Sequence, residues 1–261
     1  MTGSQIDAEH DDARAAAAIA EEAGQLLVAL RQASCGTGEA GGADDHAPDQ
    51  RSDELIARRL AERFPGDAVL SEEATDSDER LVARRVWIVD PLDGSREYGE
   101  PHRHDWAVHV ALVEDGVLSA AAVALPAQGL VFSSSAPCPR PFNQDGPLRA
   151  GPVRVAVSRT RPPLEAAALA DALGCELVPM GSAGAKTMAV VTGEVDAYVH
   201  AGGQYEWDAA APVGVAVANG LHASRIDGSP FSWNQPKPWM PDLVICRPEL
   251  ADTILSAIAD R

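Results

Sequence analysis

Apolar residues along this chain recur at two spacings, and the switch between them marks out its parts. Over residues 7–32 (DAEHDDARAAAAIAEEAGQLLVALRQ), Ile19, Leu26, Leu27 and Leu30 return at helical intervals among strong helix formers, with acids toward the front. This pattern predicts an opening helix. Residues 35–50 (CGTGEAGGADDHAPDQ) are rich in Gly and acids, have no apolar period, and read as a mobile loop. A second helix, about 50–63, sets Leu55, Ile56 and Leu60 on one face and stops before Pro65-Gly66.

From there the spacing turns toward sheet. Ala68-Val69-Leu70 runs into Glu72-Glu73, and Val86-Trp87-Ile88-Val89 is a continuous apolar run of the kind a buried strand shows, ending at Asp90. Segments 106–113 and 117–125 flank Glu114-Asp115-Gly116, a hairpin signal. A strand at about 130–134 follows the Pro126–Gly129 turn and completes a meander. The aperiodic, proline-rich stretch 135–152 reads as a loop and a boundary. Beyond it, strands at 153–158, 176–179, 195–200, 222–226 and 242–246 are interleaved with helices near 163–173, 184–192 and 208–219. A closing helix, 249–260, carries Leu250, Ile254, Leu255 and Ile258 on one face. The expected division is therefore an N-terminal α+β half over 1–150 and a C-terminal α/β half over 151–261.

With 261 residues, 46% of them hydrophobic, the chain can bury a sizeable core, built from Ala, Val, Leu and Ile because aromatics make up only 5%. No apolar run approaches the roughly 20 residues that span a bilayer. The acidic start MTGSQIDAEHDD lacks the features of a signal peptide, so a cytoplasmic protein is expected. Cys35, Cys138, Cys175 and Cys246 form no C-x-x-C pair and read as reduced structural thiols. The net charge of −18 disfavours nucleic acid and anionic membranes as partners. An anionic substrate would need a local reversal of sign, which divalent cations held by acids would supply.

Three acidic segments invite that reading. Asp90 ends a core strand, Pro91 interrupts the ladder, and Asp93 heads a tight turn at Gly94. Two carboxylates so placed can reach one hard cation, with the Leu92 carbonyl between them as a further oxygen. They can equally make a turn and cap a helix. Backbone N–H groups after Gly94-Ser95 can hold a phosphate. Glu72-Glu73 is either a second acid site or a solvated turn. Asp208, in Glu206-Trp207-Asp208, either caps the following helix or supplies a carboxylate to a shared cluster. Lys186, one of two lysines in the chain, follows Gly181-Ser182-Ala183 at a helix start. It can neutralise a second phosphate or lie at the surface. Arg96 can clamp substrate or pair with Glu97 or Glu100. His104 and His109 have no metal-like spacing and read as structural.

Together, Ser71-Glu72-Glu73, Trp87-Ile88-Val89-Asp90-Pro91-Leu92-Asp93-Gly94-Ser95 and Trp207-Asp208-Ala209-Ala210-Ala211 resemble the inositol-monophosphatase-like superfamily of lithium-sensitive, magnesium-dependent phosphatases. Asp90 to Tyr98 (DPLDGSREY), with Gly181 to Lys186 (GSAGAK) and His200 to Asp208 (HAGGQYEWD), is similar to CysQ-type 3′(2′),5′-bisphosphate nucleotidases, the actinobacterial branch especially.

The resemblance implies a layered αβαβα sandwich of the α+β class. It implies two or three Mg2+ ions on Glu72, Asp90, Asp93, Asp208 and the Leu92 carbonyl. Glu72 would also be catalytic, with Asp49 and Ser95 orienting the attacking water. Asp49 stands 23 residues before Glu72, where the family places such an acid within Thr-Ala-x-Asp; here His46-Ala47-Pro48-Asp49 lacks the Thr and the loop before it lacks the usual Lys-x-Asp, and Asp44, Asp45 and Asp53 compete for the role. Substrate would touch Asp93, Gly94, Ser95, Arg96, Gly181, Ser182, Lys186 and Asp208. The implied reaction removes the 3′-phosphate of 3′-phosphoadenosine 5′-phosphate, with its sulfated form as a second implied substrate, in sulfur metabolism. Inositol monophosphatase or fructose-1,6-bisphosphatase activity is the alternative on the same site. Relatives are commonly homodimers.

Overall fold

A computed structural model describes residues 3–37, 47–136, 138 and 151–259. Two five-stranded sheets organise it. The first holds β1 (Ala68–Ser71), β2 (Arg85–Asp93), β3 (Ala107–Glu114), β4 (Val117–Leu125) and β5 (Leu130–Ser133) in sequential order; β1 and β2 are parallel and the rest antiparallel. The second holds β6 (Arg154–Ser158), β7 (Glu176–Met180), β8 (Ala197–Tyr205), β9 (His222–Ser224) and β10 (Trp239–Cys246), in the order β7-β6-β8-β10-β9. There β6 pairs in parallel with β7 and β8, while β10 runs antiparallel to β8 and β9.

Strand alternation sorts the side chains into three apolar layers. Trp87, Val89, Val110 and Leu112 leave one face of the first sheet to meet Ile19 and Leu27 of α1 (Gly3–Thr37) and Ile56 and Leu60 of α2 (Ala47–Arg63). Val86, Ile88 and Ala111 leave the other face to meet α5 (Ala183–Val191) and α6 (Glu206–Ala218), which are packed from behind by Tyr198, Leu243 and Ile245 of the second sheet. Val155, Val199 and Val244 face α4 (Leu164–Leu173) and α7 (Ala251–Ala259). The result is the expected αβαβα sandwich. Small residues set its spacing: a Cβ on Gly214 of α6 would stand 2.5 Å from that of Ala121 on β4.

Several boundaries differ from the periodic reading. Helix extends through 33–37, and α2 begins at Ala47, so Asp49 sits in a helical first turn, not in a loop; Asp44 and Asp45 lie outside the described residues. β2 does not stop at Asp90. It runs through Pro91 to Asp93, because a register shift between Asp90 and Asp93 absorbs the proline and the Ser52 hydroxyl takes the Pro91 carbonyl at 2.8 Å. A short helix, α3 (Ser95–Gly99), and a 3-10 turn at Asp78–Val82 carried no periodic signal. Cys138, Cys175 and Cys246 are buried free thiols. Among the described residues, no helix is long and apolar enough to cross a membrane.

Candidate active site

Parallel pairing of β1 with β2 sets Ser71 beside Val89, so Glu72 leaves its strand next to Asp90. The bulge then turns Asp93 toward the N-terminal ends of α5 and α6, which bring Ser182, Gly184 and Asp208. Carboxylate oxygens of Asp90, Asp93 and Asp208 all lie within 4.8 Å of one another, the first two residues being buried. Glu72 stands outside that trio, open to solvent, on the wall of the same pocket as Asp93 and Asp208. Asp208 fills both roles its sequence allowed: Oδ2 accepts the Tyr205 N–H at 2.7 Å as a helix cap, and the side chain also joins the cluster.

The acids strain against one another. Burial and then repulsion from Asp93, Glu72 and Asp208 hold Asp90 well above the usual carboxylate range. Glu72 reaches solvent at one side only; desolvation by the protein packed around the other, followed by the charges of Asp208, Asp93, Glu73 and Asp49, pushes it up to about 7. Burial and Asp93 push Asp208 up to about 6. Asp93 goes the other way. Burial opposes its ionisation, but His109, Lys186 and Ser182 together lower its pKa, so it is the anion of the group. An all-oxygen set in which proximity penalises ionisation fits a hard cation, which would relieve the repulsion.

Asp49 Oδ2 lies 3.2 Å from the Ser95 hydroxyl, which also lies 3.2 Å from the Leu92 carbonyl. The competitor Asp53 instead accepts the Ser71 hydroxyl at 2.5 Å and braces the end of β1. Gly94 takes φ 90°, a conformation that favours glycine, at the cap of α3.

Glu72, Asp93, Gly94, Ser95 and Asp208 open on a cavity of about 720 Å3 that Arg96, Gly181, Ser182 and Lys186 also line. Lys186 is not a surface lysine. It is buried, its Nζ donates to the carbonyls of Gly181 (3.0 Å) and Ser182 (2.8 Å), and burial lowers its pKa against the pull of Asp93. The Gly181 N–H goes to Asp105 at 2.6 Å and the Ser182 hydroxyl to Asp93 at 2.5 Å. Arg96 does not pair with Glu97 or Glu100, because Arg159 takes both, at 2.7 and 2.8 Å.

The 49%-identical relatives named 3′-phosphoadenosine 5′-phosphate phosphatase come from Mycobacterium bovis and Mycobacterium tuberculosis; that figure covers 257 residues, 92% of this chain and 90% of theirs. The inositol monophosphatase family model matches residues 8–260. The chain belongs to the inositol monophosphatase family. Within it, CysQ, the 3′(2′),5′-bisphosphate nucleotidase of Escherichia coli, is more distant, at 27% identity over 72% of this chain and 78% of its own. Inositol monophosphatase from Anabaena shares the fold, with a TM-score of 0.76 at 19% identity over 96% of each chain. CysQ from Bacteroides thetaiotaomicron does so at 0.72 and 21% identity, over 91% of this chain and 98% of its own.

Periodicity alone passed over several residues of this family member's site. His109 touches Asp93, and Arg161, His200 and Trp239 line the cavity. The signal for Arg161 was the basic Ser158-Arg159-Thr160-Arg161 run directly after a core strand. For His109 it was the meander itself, whose register pairs His109 with Asp90.

Proposed function

We propose that this protein is a magnesium-dependent phosphatase that removes the 3′-phosphate of 3′-phosphoadenosine 5′-phosphate and releases adenosine 5′-phosphate. The observation that carries this reading is the polarity of the cavity. Glu72, Asp93 and Asp208 stand on its wall as acids, while Arg96, Arg161 and Lys186 contribute cations to the same space in a chain of net charge −18. A ligand with two phosphates suits such a cavity: one over the acid cluster, the other against the cations. Neither Arg96 nor Arg161 has a carboxylate within ion-pair distance among the described residues, so both guanidinium groups are available to an anion. Tyr205 and Trp207 stack at 4.6 Å and Trp239 is half exposed, giving the cavity flat apolar surface for a base.

Glu72, Asp90, Asp93, Asp208 and the Leu92 carbonyl would hold two or three Mg2+ ions. Bound there, magnesium offsets the charge of the phosphate and supplies Lewis acidity. Asp49 and Ser95 do the orienting: the Ser95 hydroxyl, set between Asp49 and the Leu92 carbonyl, fixes a water beside Asp49, which takes up its proton as the water attacks phosphorus opposite the 3′-oxygen. The attack is direct: the bond from phosphorus to the 3′-oxygen breaks as the bond to water forms, the 3′-oxygen leaves as a hydroxyl with a proton from solvent, and no side chain forms a covalent intermediate.

Phosphate release from 3′-phosphoadenosine 5′-phosphate, inositol 1-phosphate and fructose 1,6-bisphosphate, measured side by side in magnesium, tests the reading. Preference for the nucleotide supports it. Preference for a sugar or inositol phosphate would keep the metal site and replace the substrate.

A further inference from the structure

One oxygen of Asp93 is fully committed within the protein. Its Oδ2 accepts the Ser182 hydroxyl at 2.5 Å and the Gly184 N–H at 2.8 Å, and it faces His109 Nε2 at 3.2 Å. The Ser182 hydroxyl and the Gly184 N–H take the two lone pairs of Oδ2, with His109 Nε2 beside them at ion-pair distance, which leaves Oδ1 for a cation.

His109 is the least replaceable of the three by appearance and the most constrained by surroundings. It is wholly buried on β3, opposite Asp90 in the register. Its Nδ1 lies 3.0 Å from the Trp207 carbonyl, which can only accept, so Nδ1 is a donor and the ring orientation is fixed. Trp207 immediately precedes Asp208, so a single imidazole spans from the carboxylate of Asp93 to the backbone that carries Asp208. Room for it exists only because residue 184 is glycine: a Cβ there would stand 2.2 Å from His109 Nε2 and 2.9 Å from the Ala107 Cβ. A ring that merely filled the core would not need a carbonyl on one nitrogen, nor a carboxylate 3.2 Å from the other and a glycine against it.

We propose that His109 is a positioning residue: by bridging Asp93 and Trp207 it fixes the separation of the Asp93 and Asp208 carboxylates and thereby sets the affinity of the site for divalent cations. This rests on the reading of those acids as a cation site. Ligand-orienting groups of this kind typically contribute about 10–100-fold to metal affinity.

Two polar substitutions separate the contacts. In His109→Gln the side-chain amide nitrogen reaches the place of Nε2, toward Asp93; in His109→Asn it reaches the place of Nδ1, toward Trp207. Manganese ion alone, titrated into the substrate-free full chain and followed by electron paramagnetic resonance, reads affinity without turnover. Each variant keeps one end of the bridge and loses the other, so both are expected to lose affinity on the order of 10–100-fold while still unfolding cooperatively. The metal concentration needed for half-maximal turnover should rise in step, with KM for substrate at saturating metal unchanged. Wild-type affinity in either variant would overturn the inference and leave the cation site standing. No manganese binding by the wild type would overturn the site reading itself.

Discussion

The Ser95 hydroxyl lies 3.2 Å from Asp49 Oδ2 and so ties the first turn of α2 to the turn that follows Asp93. Forty-six residues separate the two in sequence. The pairing puts a buried carboxylate beside a hydroxyl that faces the cavity.

On the proposed role of that pair in orienting water, outside the acid trio, Asp49→Asn should lower kcat by roughly 10²–10⁴ while manganese affinity changes little. Steady-state rates and a metal titration on the same preparation check it. A large loss of metal affinity would move Asp49 into the metal-binding set.

Asp90 and Asp93 should respond to the same change in opposite ways. Asp90 is buried among like charges, so Asp90→Asn relieves repulsion and should raise the melting temperature of the metal-free protein by a few degrees. Asp93 accepts bonds from Ser182 and Gly184 and faces His109, so Asp93→Asn should lower it. Both variants should lose turnover by several orders of magnitude. Thermal unfolding in a chelator separates them.

The raised carboxylates also fix a pH dependence. Glu72 moves from 4.5 to about 7 and Asp208 from 3.8 to about 6, so the folded chain binds more protons than the unfolded chain between those limits. Metal-free stability should therefore fall as pH rises from about 4 to about 7. Magnesium should restore more stability at pH 7.5 than at pH 5.5, because binding at the lower pH must first displace protons. Calorimetric melting with and without magnesium at the two pH values checks this; an equal gain at both contradicts it.

Arg161 has no carboxylate partner among the described residues, whereas Arg159 is held by Glu97 and Glu100. Burial lowers the pKa of His200, and the neighbouring charges of Lys186 and Arg161 lower it further, which marks this end of the cavity as positive. Arg161→Ala should raise KM for the bisphosphate nucleotide roughly tenfold to a hundredfold and leave that for inositol 1-phosphate unchanged. Equal effects on both substrates would assign Arg161 to the reacting phosphate or to structure.

Much of the layered fold was legible because local signals agreed with one another: helical spacing in α1 and α7, the Asp115-Gly116 turn between β3 and β4, and the apolar run that became β2. What stayed hidden depended on contacts distant in sequence. Pro91 argues locally for a strand end, yet the bulge and Ser52 carry the strand on to Asp93. Lys186 looks like a solvent-seeking side chain until the Gly181 and Ser182 carbonyls are seen to bury it. Each acid of the candidate site, taken alone, reads as a turn or a cap; the three acidic segments taken together, through their resemblance to the inositol-monophosphatase-like superfamily, singled them out. His109 did not, because its partners, Asp93 and the Trp207 carbonyl, come from another strand and a helix nearly a hundred residues away.

The most direct measurement is identification of the nucleotide product. The protein is incubated with 3′-phosphoadenosine 5′-phosphate, with magnesium or with a chelator, and the products are resolved by phosphorus nuclear magnetic resonance. Adenosine 5′-phosphate and inorganic phosphate in equal amounts, formed only with magnesium, are the expected result. Adenosine 3′-phosphate as the product, or equal turnover in the chelator, would contradict the assignment of the acid cluster to the 3′-phosphate.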